Sequence, residues 1–204
     1  DAPKVYDIQK NYFDMEYVAG KSFDEFFSIA SVNDIEFVVS TLFDYFDTLI
    51  STARNIDVTK QILDKLDSLK EKSSYPKYIE FLRKYVEDNR IIIPHTFCHG
   101  DLTFANIIFH QNRLFFIDFL DCYVDTFLSD LVKLKQDLHH LWAVRNQDVY
   151  TVRIHQIYEY IWDKLEVRYT DYLTDGFHIL DVMNALRIEP YLTSDSQRVI
   201  LEGI

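Results

Sequence analysis

Within residues 98–119, CHGDLTFANIIFHQNRLFFIDF, two short apolar runs at 107–109 and 114–118 stand on either side of His110-Gln111-Asn112-Arg113. Turn-prone residues between β-favouring runs read as a tight hairpin. On both sides of it the apolar residues recur with a helical period. Ile35, Val38, Val39, Leu42, Phe43, Phe46, Leu49 and Ile50 follow three- and four-residue steps, so they mark one buried face of a helix running from about Asn33 to 50. Ile62, Leu63, Leu66 and Leu69 mark a second helix, and SSYPKY separates it from a third over about 77–88. Pro94 is read as closing that helical block. Beyond the hairpin, 126–145, 147–168 and 175–188 are predicted helical, with Leu131, Leu134, Leu138 and Leu141 on one stripe. At the start, PKVYDIQ and YFDMEYV are extended runs around a turn at Lys10-Asn11, and Ser22 is placed to cap a short helix SFDEFFSIA. The fold class is α+β and mostly helical, with one hairpin embedded in the helices and another at the leading edge.

Composition narrows the function classes. The 204 residues are 48% hydrophobic and 16% aromatic, with four Gly and four Pro, which excludes a disordered or collagen-like chain. A formal net charge of −12 argues against nucleic acid and anionic membrane as partners. Its plainest role is solubility. Two cysteines, Cys98 and Cys122, suggest neither a disulfide framework nor a zinc site, and point to a reduced, cytoplasmic setting. No apolar run is long enough to span a membrane, and the first residues lack a secretory signal.

Three residues in the hairpin segment carry chemistry. Asp101 and Asn106 flank the start of its first strand, and Asp118 ends the second. An antiparallel hairpin brings entry and exit together, so the three can converge. Carboxylate and amide oxygens are the hard donors that Mg²⁺ takes while it keeps places for water and phosphate. Read alone, the same residues equally suit turn capping.

The wider pattern adds a resemblance. His99-Gly100-Asp101-Leu102, then Asn106, then Ile117-Asp118-Phe119, then Asp130-Leu131, resembles the catalytic segment of aminoglycoside phosphotransferases and choline kinases, relatives of protein kinases. Met15-Glu16-Tyr17-Val18-Ala19-Gly20 looks like the hinge between kinase lobes. Leu186-Arg187 with Pro190-Tyr191 is similar to a segment near the end of bacterial members. The resemblance implies ATP and Mg²⁺ as cofactors and a small hydroxylated acceptor: a sugar, an aminoglycoside, or an amino alcohol such as choline. It implies Asp101 as the catalytic carboxylate, Asn106 and Asp118 as metal ligands, and backbone groups of Glu16 and Val18 as the adenine contact. His99 and Asp130 would support the catalytic loop.

The resemblance also has a gap. A Gly-rich phosphate-covering loop and a phosphate-pairing Lys belong before the hinge, and residues 1–14 offer only Lys4 and Lys10 without such a frame. Residues 1–18 are accordingly read as the last hairpin of an upstream lobe and the hinge, and 19–204 as the carboxy-terminal catalytic and substrate lobe. Truncation is the favoured explanation, with a fragment inactive by itself and a possible dimer through the exposed hairpin or interlobe surface. The alternative is a non-catalytic kinase-like binding or regulatory module, and a helical metal-dependent hydrolase ranks third. Leu120-Asp121 after Asp118-Phe119 departs from the protein-kinase pattern and favours small-molecule acceptors. Trp142, Tyr158, Tyr160 and Trp162 are read mainly as core. His139, His140 and His155 are not read as a metal site.

Overall fold

The computed structural model describes residues 1–10, 12–144 and 152–192. Strands β1 (Val5–Ile8) and β2 (Phe13–Met15) form the leading antiparallel hairpin, and every residue of both is exposed. Helix α1 (Phe23–Ile29) follows Ser22, whose side chain and Glu25 form a capping box. Helix α2 (Val32–Ser51) begins earlier than the periodicity alone suggests. The Ser31 hydroxyl accepts from the Asp34 N–H, and the Asp34 carboxylate accepts from the Ser31 N–H at 2.7 Å, so Asn33 already lies inside the helix. The buried stripe of α2 is Val38, Val39, Leu42, Phe46 and Leu49, and burying each such side chain is worth about 1.5–3 kcal/mol.

A strand pair absent from the sequence reading comes next. Strand β3 (Arg54–Asp57) pairs antiparallel with β4 (Ile92–His95), and helices α3 (Thr59–Lys70) and α4 (Pro76–Asp88) lie between them. Pro94 therefore does not end a helical block. It sits in β4 opposite Asn55, and in a two-stranded ribbon its missing N–H can face outward. The sequence RNID is short and polar, so it has neither alternation nor β-branched residues enough to announce a strand.

The embedded hairpin is β5 (Ile107–His110) and β6 (Arg113–Phe116). Gln111 and Asn112 both take positive φ, 44° and 55°, as a two-residue turn requires. The second strand stops at Phe116, two residues short of Asp118. The hairpin is clamped by α1: Phe26 stacks on Phe109 with ring centroids 4.2 Å apart, and Phe27 meets Phe104, Phe109 and Tyr158 edge-on. Lys21 exchanges both backbone hydrogen bonds with Phe109 along the free edge of β5.

Helices α5 (Phe127–Leu138), α6 (Val152–Arg168) and α7 (Asp175–Ile188) complete the helical part. The predicted helix 126–145 is shorter in the structure. It ends at Leu138, and Leu141, expected on its stripe, takes a left-handed φ of 57° beyond the end. A 3₁₀ turn, Trp142–Val144, follows. The part of the predicted helix at 147–151 lies outside the described residues. Tyr158 and Trp162 are core, whereas Tyr160 reaches Glu36 on α2. No helix of the described residues is long and apolar enough to cross a membrane.

Helix α5 is enclosed on almost every side. Leu131, Leu134 and Leu138 form its apolar stripe, Asp130, Lys133 and Asp137 are buried polar positions on it, and His140, just past its end, is buried as well. Burial, then the charge of Lys135 and then that of His139, hold the His140 imidazole down at about 3. The folded state thus resists a proton that the unfolded chain accepts near 6.5. Stability from this residue is complete above about pH 6.5 and is lost as pH falls toward 3, reaching a loss of about 2 kcal/mol by pH 5. Urea midpoints at pH 7 and pH 5 should show that fall, and His140→Phe should flatten it. Equal slopes in both proteins would exclude His140 as the source.

Candidate active site

The start of the loop between β4 and β5 is held by a buried carboxylate. Asp130, at the start of α5, is fully buried and accepts the His99 N–H at 2.7 Å, the Gly100 N–H at 2.9 Å and the Tyr45 hydroxyl at 2.7 Å. Burial pushes its carboxyl above the ordinary range, and the His99 N–H, Tyr45 hydroxyl and Gly100 N–H oppose that shift. Tyr45, from the middle of α2, is kept protonated by burial and by Asp130 itself. Charge-assisted hydrogen bonds of this kind are the strong ones in a dry interior. Gly100 has φ +86°, and a Cβ there would come within 2.0 Å of the Leu120 carbonyl oxygen. Only glycine fits this turn without moving the backbone.

His99 sits under the loop, fully buried. Its Nδ1 accepts the Asp101 N–H at 3.3 Å, its ring packs 4.2 Å from that of Phe119, and its Nε2 is buried on the side of the Ile117 backbone. Burial pushes the imidazole below the usual histidine range, while the nearby charges of Asp130, Asp101 and Asp118 pull the other way. A neutral ring with its proton on Nε2 is the form that leaves Nδ1 free to accept.

Asp101 and Asn106 are brought into contact. The Asn106 amide donates from Nδ2 to the Asp101 carbonyl at 2.8 Å and to its carboxylate Oδ2 at 3.2 Å, which leaves the Asn106 Oδ1, a hard oxygen, for another partner. Thr103 N–H donates to Asp101 O, and the Phe104 N–H is taken by the buried carboxylate of Asp137 at 2.7 Å, so the 3₁₀ turn Phe104–Asn106 is pinned at both ends. The Ile117 N–H donates to Asn106 O at 3.0 Å, which sets Asp118 one residue from Asn106. Asp118 is exposed and takes φ +58°. A non-glycine residue in that region is uncommon, and such positions gather at functional sites. The entry of β5 and the exit of β6 therefore do bring the three residues to one end of the hairpin, with Asp118 supplied by the connection after the strand.

The expected hinge residues lie apart from this cluster. Glu16 N–H donates to Lys4 O at 2.7 Å and Val18 O accepts from Gly20 N–H at 2.8 Å, bonds that use neither the Glu16 carbonyl nor the Val18 amide.

Lys133 is a site residue absent from the sequence reading. Its ammonium, buried on α5, lies 2.8 Å from Asp101 Oδ1. Burial and then the Arg187 guanidinium push it below the usual lysine range, and Asp101 acts against them. A signal for it exists: Asp130, Lys133 and Asp137 stand at i, i+3 and i+7, one face of a helix. That polar face meets the loop after β4 at three points, Asp130 on His99 and Gly100, Lys133 on Asp101, and Asp137 on Phe104. Tyr45 is hidden for a different reason, since an aromatic among the apolar residues of α2 reads as core until its hydroxyl is placed.

As for a cation, the described residues contain no group of three or more His, Cys, Asp or Glu side chains arranged to hold one. One carboxylate and one amide fit Mg²⁺, which binds few protein ligands and takes the rest from phosphate and water. Cys98 and Cys122 are free thiols.

Residues 42–168 match the model of the APH phosphotransferase enzyme family, so the chain belongs to that family. The matched stretch runs from mid-α2 to the end of α6 and contains Asp101, Asn106, Asp118, Asp130 and Lys133. No curated protein and no solved structure matches the chain.

Proposed function

We propose that this chain is the carboxy-terminal, catalytic lobe of an ATP- and Mg²⁺-dependent phosphotransferase that moves the γ-phosphoryl of ATP to a hydroxyl of a small molecule. The observation that carries the reading is the contact between Asp101 and Asn106, with Asp118 beside them on strained backbone. In this reading Asp101 accepts or orients the acceptor's hydroxyl proton. Asn106 and Asp118 hold the metal, which when bound would neutralise charge on the transferring phosphates. Phosphoryl transfer asks mainly for positioning and charge neutralisation, and a loop braced on a buried carboxylate supplies the first. His99 and Asp130 keep that loop in one conformation.

Residues 1–18 fit the closing hairpin of an upstream lobe and the hinge. Their exposed apolar side chains, among them Tyr6, Ile8, Phe13 and Tyr17, are the kind of surface a neighbouring lobe covers, and the free Glu16 carbonyl and Val18 amide suit an adenine edge.

The test is transfer from ATP in Mg²⁺ by the full-length protein, against a panel of sugars, aminoglycosides, amino alcohols and their acidic derivatives. Transfer to one class is expected, with Asp118→Ala lowering the rate at least about 100-fold while the fold, followed by circular dichroism, is retained. A folded protein that neither binds ATP nor transfers phosphate would favour a binding module instead.

A further inference from the structure

Beside Asp101 lies a cavity of about 200 Å³ between the catalytic loop, α3, α5 and α7. Gly100, Asp101 and Lys133 line it together with Lys65 and Arg187, while neither metal-ligand candidate does. The charge balance of this cavity runs against that of the whole molecule. Three cationic side chains face two carboxylates, Asp101 and Asp121, in a chain whose net charge is −12.

The cations are unequally engaged. Lys133 is committed to Asp101. Among the described residues neither Lys65 nor Arg187 has a carboxylate partner. Lys65 lies 5.4 Å above the Tyr123 ring, and Arg187 donates to the Asn184 side-chain oxygen at 3.3 Å. Arg187 is also close enough to Lys133 for the two charges to oppose each other, and it borders the neighbouring cavity that contains Asp101 and Asn106. Two cations without a carboxylate partner, lining one pocket with a third, make a site that an oxyanion completes, and a guanidinium is suited to bind two oxygens at once.

We infer that the acceptor of this phosphotransferase carries an anionic oxyacid group, a phosphate monoester or a carboxylate, that docks between Arg187 and Lys65 while its hydroxyl meets Asp101. The inference rests on the phosphotransferase reading for the word acceptor, and on the cavity alone for the anion. It opposes the choline-like or aminoglycoside acceptor among those the family resemblance implies, because a cation in this pocket would meet Arg187 and Lys65 rather than a carboxylate cage. Of the four aromatic side chains that the sequence offers for a quaternary ammonium, Tyr158 and Trp162 are core, Tyr160 is engaged by Glu36, and Trp142 borders the neighbouring cavity rather than this one.

The experiment is calorimetric titration of the full-length protein with glycerol 3-phosphate, glycerate and glycerol, in saturating ATP-analogue and Mg²⁺ so that the nucleotide site is filled. Parent protein, Arg187→Met, Lys65→Met and Arg187→Lys are compared. One or both anionic probes should bind and glycerol should not. Arg187→Met should weaken the anion about tenfold or more, Lys65→Met less, and Arg187→Lys should retain part of the affinity. Which probe binds separates phosphate from carboxylate. Equal behaviour of glycerol and both anions, or anion binding indifferent to both methionine substitutions, would overturn the inference. Failure of the phosphotransferase reading is seen separately, as absence of ADP formation with every acceptor while the anion still binds in an Arg187-dependent way.

Discussion

Asp130→Ala is expected to lower stability by about 3–5 kcal/mol and to remove transferase activity with it. The change leaves the buried His99 N–H and the half-buried Gly100 N–H and Tyr45 hydroxyl without an acceptor, and each buried orphan costs about 1–3 kcal/mol. In a domain of this size that corresponds to a melting temperature lower by roughly 10 °C. Asp130→Asn keeps one acceptor oxygen but turns an amide N–H toward another donor, so it should fall between alanine and the parent. The double change Tyr45→Phe with Asp130→Ala should cost less than the sum of the single ones, because the phenol no longer lacks a partner. Additive effects in urea unfolding would show that Tyr45 and Asp130 do not act as a unit.

Asp101→Asn is expected to slow transfer by about 10²–10⁴-fold with little change in KM for ATP, the span usual for losing acid–base help from a placed group. Its effect on stability should have the opposite asymmetry to that of Lys133. Asp101→Asn strands a buried ammonium, whereas Lys133→Met removes that charge and leaves Asp101 with 29% of its side chain still reaching solvent. Lys133→Met should therefore be tolerated in thermal unfolding and still lose about tenfold or more in kcat, since Asp101 is no longer held. Initial rates and melting curves on the same preparations check both statements. Transfer by Asp101→Asn within threefold of the parent would remove Asp101 from the chemistry.

The order of elements is legible because its signals are local. Ser22 caps α1 within one turn, and Gln111-Asn112 accepts the positive φ of a two-residue turn. The stripe from Val38 to Leu49 repeats at the helical period. Where the reading went astray, the deciding contact is distant. Strand β3 exists because Arg54–Asp57 finds β4 across two helices.

By itself the sequence determined the positions of Asp101, Asn106, Asp118 and Asp130, and with them the family. Spacing along one chain is enough to specify a hairpin and the residues at its ends. Tertiary structure alone decided how those residues are held and what surrounds them. Tyr45 reaches Asp130 from 85 residues away, Lys133 reaches Asp101 from the following helix, and Arg187 and Lys65 come from α7 and α3 to one cavity. The reason is physical. A helix face is written in the sequence as a period, but which loop that face meets, and whether a charge on it is buried or solvated, depends on packing between segments that no local pattern records.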